Sequence, residues 1–204
     1  MRTAEHEVTR NEIINIFLKD AELQGFLTIP KNATGIVVFA HGSGSSRLSP
    51  RNQFVADYLN REKIGTLLFD LLTLEEEEQD ITISAYRFNI PFLAERLVEV
   101  VDWLTDQLKG SKHDLPIGVF GASTGAAAAI VAGTRRPEMI KAIVSRGGRP
   151  DLATLMLTRI KVPTLLIVGG SDTDVLRLNR EAYQYIHADK EIHIVKGASV
   201  DSRF

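Results

Sequence analysis

Ser123 stands in the segment Gly121-Ala122-Ser123-Thr124-Gly125, between the apolar run 116–121 (PIGVFG) and four consecutive alanines, Ala126 to Ala129. A Gly-x-Ser-x-Gly placed between a strand and a helix lifts a serine hydroxyl clear of the backbone. The glycines permit the sharp turn and the alanines let strand and helix stay close. The helix that follows aims free N–H groups and a positive dipole end at any negative charge developing beside the serine. The expected oxyanion hole is the Thr124 N–H together with an N–H of the Gly42-Ser43 turn, that of Ser43. A Gly/Ala/Ser-rich turn into a helix also arises for packing alone, so the spacing by itself is a weak signal. Its position after a central strand, with His41-Gly42-Ser43-Gly44-Ser45-Ser46 following an earlier one, favours a nucleophile.

A serine of this kind needs an acid and a base. After the apolar run 163–169 comes Gly170-Ser171-Asp172-Thr173-Asp174-Val175, the place of the acid in a Ser…Asp…His order. Asp172 is the expected acid and Asp174 the reserve. Whichever is not the acid is expected to cap the helix that starts near Val175. Arg47 and Arg51 follow the first turn, and Arg146 and Arg149 follow the run 141–145. All four could face a crevice and suit a carboxylate- or phosphate-bearing substrate. His41, Arg47 and Arg146 are the substrate-contact candidates. Glu75 to Glu78 form an acidic run, and without interleaved histidines it reads as a solvated helix start rather than a metal site.

The elements that must position these residues follow from periodicity. Residues 12–18 and 22–28 are β-leaning stretches separated by Lys19-Asp20-Ala21, which predicts an antiparallel opening. Six apolar runs of strand length follow, at 35–40, 64–70, 116–121, 141–145, 163–169 and 191–195, with helical segments between them. That pattern predicts an α/β fold: a mostly parallel eight-stranded sheet with helices on both faces. Leu93, Leu97, Val101, Leu104 and Leu108 recur at helical spacing over 92–109, with Gly110 as a stop. In such sheets the ligand crevice lies beyond the carboxyl ends of the strands, where all the segments above fall. The connection between 145 and 163 is too short for a large lid, which predicts an open crevice and a small or soluble substrate.

The chain of 204 residues, 44% hydrophobic and 25% charged, suits a single domain over 1–204. A net charge of -2 and a pI near 6.2 provide no general attraction for nucleic acid or an anionic membrane. The absence of cysteine excludes disulfides and thiolate chemistry. A charged start and no apolar run near the ~20 residues that span a bilayer make the cytoplasm the expected location.

Beyond the serine turn, the segments HGSGSSRLSPRN, LLFDLLTLEEEE, SRGGRPDLA and LLIVGGSDTDVLRLN resemble the α/β-hydrolase superfamily, in its dienelactone-hydrolase-like branch, over nearly the whole chain. The resemblance implies ester or lactone hydrolysis by a serine, a histidine and an aspartate, with no metal and no cofactor. It also implies a base in a short loop after the last strand, often as Gly-Ala-Ser/Thr-His. Here the loop reads Gly197-Ala198-Ser199-Val200, and a valine stands where the histidine is expected. Five histidines exist. His6 lies in the charged start, while His113 and His187 each precede a strand and fall at the opposite edge. His193 is inside the last strand, roughly 10 Å short of its end at ~3.3 Å per residue. His41 alone is at the correct edge, where holding the turn is its expected work.

Val200 to Phe204 are too few for the closing helix that the resemblance implies, so a truncated C-terminus, exposed apolar surface and a possible homodimer are expected. The leading reading is a small serine hydrolase of low or absent turnover. The alternative is a catalytically silent protein of the same fold that binds a small ligand or partner. Acyl transfer to an acceptor other than water would use the same residues.

Overall fold

The computed structural model describes residues 8–109 and 115–199. Its centre is one eight-stranded sheet in the order β1-β2-β4-β3-β5-β6-β7-β8. The strands are β1 (Val8–Phe17), β2 (Glu22–Pro30), β3 (Gly35–Ala40), β4 (Ile64–Phe69), β5 (Ile117–Ala122), β6 (Ile140–Arg146), β7 (Thr164–Gly169) and β8 (Lys190–Val195). β2 runs antiparallel to both β1 and β4, and every other pair is parallel. The sheet is open, as the alternation of apolar runs and helices predicts. The first strand begins four residues before its apolar stretch, because backbone pairing with β2 extends the ladder to Val8 and Pro30. Such pairing asks nothing of the side chains and leaves no sequence signal.

Six α-helices are present among the described residues: α1 (Pro50–Arg61), α2 (Leu74–Ile83), α3 (Ile90–Leu108), α4 (Thr124–Arg135), α5 (Thr154–Leu157) and α6 (Thr173–Tyr185). A 3₁₀ turn, Pro150–Ala153, leads into α5. α3 starts two residues before the predicted 92, at a cap where the Asn89 side chain accepts from the Phe92 N–H, with Pro91 in the first turn. Its predicted stop, Gly110, lies outside the described residues, as do His6, His113 and Val200. The acidic run opens α2 under a capping box between Thr73 and Glu76.

The two faces of the sheet are covered unequally. On one, the apolar stripe of α3, nearly all of α4 and the inner side of α6 bury a continuous core that includes Leu97, Leu104, Ile130, Ile143, Leu166 and Ala182. On the other, α1 covers a small cluster of Phe39, Ala56, Leu68 and Phe120. β8 is partly exposed along its whole length. No helix among the described residues is long and apolar enough to cross a membrane.

Candidate functional site

Ser123 is the corner between β5 and α4, and its backbone is held at φ 52°, ψ -121°. A side chain with positive φ is costly, so surrounding structure must enforce it. Three glycines provide the room. A Cβ at Gly121 would collide with the backbone of Gly125 and Ala126, and one at Gly125 with the carbonyls of Ala40 and His41. A Cβ at Gly42 would lie 2.9 Å from the Ser123 Cβ. The serine turn and the His41-Gly42-Ser43 turn therefore press backbone against backbone, as adjacent ends of β5 and β3. The Ser123 carbonyl accepts from the N–H groups of Ala126 and Arg149, which ties the corner to the segment after β6.

Ser43 and Thr124 come together, with a feature that no sequence motif shows. The Ser43 N–H donates to the Thr124 hydroxyl at 3.1 Å. The Thr124 N–H, at the first position of α4, has no intrahelical acceptor. An anion beside Ser123 would meet that free N–H directly and would take the Ser43 N–H in place of the hydroxyl.

Asp172 lines the same pocket as Ser123, a cleft of about 580 Å³ that also receives Arg51, Asn52, Arg146 and Ser199. It is at once the cap of α6, its side chain accepting from the Val175 N–H at 3.3 Å. The sequence expects Asp172 as the acid and the other aspartate as the cap of α6. α6 starts at Thr173, so the cap falls to Asp172 itself, and Asp174 sits in the exposed first turn. The Asp172 loop is tied to the loop after β8 by the Ser171 N–H, which donates to the Ala198 carbonyl at 2.9 Å. Gly169 permits that crossing, because a Cβ there would lie 2.5 Å from the Ala198 oxygen. The place where the family motif carries its histidine thus follows directly on a residue of the cleft, Ser199.

Among the described residues no histidine lines this cleft. His41 is buried with both ring nitrogens engaged: Nδ1 donates to the Gly42 carbonyl at 2.9 Å and Nε2 accepts from the Leu71 N–H at 3.0 Å. This is a neutral imidazole, and burial holds its pKa below the usual histidine value. Its ring lines a smaller pocket of about 200 Å³ that shares the Gly42-Ser43 turn with the Ser123 cleft. It clamps the end of β3 to the end of β4. His187 precedes β8 at the opposite edge. His193 pairs in a row with Ile167, Arg146 and Ala122. At ~4.8 Å per strand, three strands put it about 14 Å from β5.

The arginines separate into two kinds. Arg47 donates to Asp70 and Gln24, and Arg149 is bidentate with Asp151. Neither lines the Ser123 cleft. Arg146 and Arg51 do. The Arg146 guanidinium is half-buried, and burial first, then the charge of Arg51, lower its pKa. Asn52, buried at the start of α1, is a cleft residue that sequence reasoning missed. It follows Pro50-Arg51 in a helix start, and nothing in its type or spacing marks it as facing Ser123.

No family model matches the chain. A crystal structure of dienelactone hydrolase from Anabaena variabilis is 49% identical and superposes with a TM-score of 0.90, covering 95% of this chain and 88% of that one. The esterase Est1E from Butyrivibrio proteoclasticus shares 15% identity at a TM-score of 0.74, over 92% of this chain and 89% of that one. A dienelactone hydrolase-like promiscuous phosphotriesterase from metagenomic libraries shares 16% at 0.71, over 93% and 82%. These last two show the fold alone. Two curated Mycobacterium tuberculosis proteins, from strains CDC 1551 and H37Rv and provisionally named phosphoribosyl transferases, are 47% identical over 190 residues, 93% of this chain. The chain spans 42% of their length.

Proposed function

Since the chain belongs to the dienelactone hydrolase family of the α/β-hydrolase superfamily, we propose that it is a serine hydrolase for small esters or lactones, with Ser123 as nucleophile. The observation that carries this is the strained Ser123 corner, enforced by three glycines and facing a free helix N–H. Strain of that kind persists only where the fold over-determines it, and it concentrates at reactive positions. Ser123 Oγ would bond to the carbonyl carbon, with the oxyanion held by the N–H groups of Thr124 and Ser43. Collapse of that intermediate breaks the bond to the leaving oxygen, which takes up a proton. Water then cleaves the acyl-enzyme by the same path in reverse.

The Ser123 proton has no histidine to accept it among the described residues. Asp172 lines the same cleft as Ser123, so the proposed acid stands there with no histidine beside it among the described residues. Expected turnover is that of the oxyanion hole and binding alone, about 10³–10⁴-fold over the uncatalysed reaction. The alternative, a silent ligand-binding protein, is favoured by Val200 in the sequence and predicts no acylation at all. The transferase name of the mycobacterial relatives attaches to proteins of which this chain matches less than half.

Intact mass after a fluorophosphonate probe tests the nucleophile. A slow adduct that Ser123→Ala abolishes supports the hydrolase reading. Val200→His should accelerate both labelling and the hydrolysis of an activated ester by at least about 10²-fold. No adduct in either the parent chain or Val200→His would sink the reading and leave the binding protein.

A further inference from the structure

Ser123 is gripped through its own backbone by one short segment. Its N–H donates to the Arg146 carbonyl at 3.4 Å, and its carbonyl accepts from the Arg149 N–H at 3.1 Å. Between those two residues the chain leaves β6 through Gly147, at φ 51°, whose N–H donates to the Ile167 carbonyl on β7 at 2.7 Å. Gly148 then passes against the start of α4: a Cβ on it would collide with the Ser145 Oγ and lie 2.6 Å from the Ala126 Cβ. A serine at positive φ persists only where its surroundings enforce it. This segment is the part of those surroundings that holds Ser123 on both sides of its Cα.

The segment is in turn held by a side chain from a third element. Asn179 on α6 is 0% exposed. Its Nδ2 donates to the Gly148 carbonyl at 3.0 Å and to the Val175 carbonyl at 2.8 Å. Both acceptors are carbonyl oxygens, which only the NH₂ end of the amide can face, so its orientation is fixed. The bond to Val175 locks the side chain against its own helix, and the bond to Gly148 carries that helix to the loop. A buried amide costs desolvation that an aliphatic side chain of similar volume avoids. Packing therefore does not account for an asparagine here, and the bond to Gly148 does.

Asn179 shares α6 with Asp172, the cap of that helix and a residue of the Ser123 cleft. Seven residues make two turns, which puts the two on one face, about 10 Å apart along the axis. α6 is an arm with Asp172 at its tip, and its fastening point is the segment that grips Ser123.

We propose that Asn179 is a positioning residue, setting Asp172 in register with Ser123 by way of Gly148. The catalytic use of that register rests on the hydrolase reading, but the anchoring of the serine corner does not.

Asn179→Leu keeps the volume and deletes the donor. Amide hydrogen exchange of the full chain, followed by NMR, is expected to quicken at Arg149 by about tenfold or more relative to the β3 amides of the same variant, which report global opening. A merely structural role would lower the melting temperature and leave that ratio at its parent value. In a Val200→His background, Asn179→Leu should also slow fluorophosphonate labelling of Ser123 by about tenfold or more, because small misplacements of reacting groups cost that much. An unchanged exchange ratio at Arg149 overturns the proposal. So does a raised ratio with undiminished labelling in the Val200→His background, which would make the bond a tie without bearing on the nucleophile. Should Asn179→Leu fail to fold, Asn179→Ser is read in the same way, since its hydroxyl bonds back to the Val175 carbonyl and is too short for Gly148. If Val200→His does not label at all, the hydrolase reading falls and the exchange ratio alone decides: raised, it supports the anchoring, and unchanged, it overturns it.

Discussion

His41 directly precedes the Gly42-Ser43 turn and spends both ring nitrogens on backbone, so its protonation is coupled to the shape of that turn. Neutral in the fold, it must gain a proton at Nε2 to become charged, which ejects the Leu71 N–H. Burial holds its pKa below the ordinary histidine value near 6.5, so the unfolded chain binds this proton more readily. The sign follows: the contribution to stability is complete above about pH 6.5 and is lost as pH falls from there towards the lower folded value, at about 1.4 kcal/mol per unit. Urea midpoints measured from neutral into mild acid are expected to fall in the parent chain and to fall less steeply in His41→Asn. Equal slopes would mean that other groups dominate the acid limb.

Glu76 is the joint between α2 and α3. Its carboxylate accepts from the Thr73 N–H at 2.8 Å, closing the α2 cap, and receives both terminal nitrogens of Arg96 on α3. Arg96 is only 7% exposed at its side chain, against 19% for Glu76. Removing the acid therefore leaves a buried guanidinium alone and costs more than the pair itself contributes. Glu76→Ala is expected to lose about 2–3 kcal/mol, or roughly 5–10 °C in Tm for a chain of this size. Glu76→Leu combined with Arg96→Leu should recover most of it. A double variant no better than Glu76→Ala would show that the cap, rather than the stranded charge, is the larger part.

Across the whole molecule, stability should follow the uneven covering of the sheet. β3 and β5 are central in the strand order and buried on both sides, whereas β8 is an edge strand that stays partly exposed. Native-state hydrogen exchange should therefore give the slowest amides in β3 and β5 and distinctly faster ones in β8. Protection in β8 equal to that in β5 would mean that its open side is covered in solution.

The six parallel strands, the long helix α3 and the serine corner were legible in the sequence. Each is written locally, in an apolar run between breakers, a helical period, or glycines at a turn that tolerates nothing larger. Tertiary structure alone decided the work of the polar side chains. Arg47, Arg146 and Arg149 stood after strand ends in the sequence, yet Arg47 and Arg149 found nearby carboxylates while Arg146 came to line the Ser123 cleft, with no carboxylate paired to it among the described residues. Asp172 became both cap and cleft residue because α6 began at Thr173. A hydrophobic residue is placed by its period along one element, but a charge is placed by the partner it meets across two, and that meeting exists only once the chain has folded.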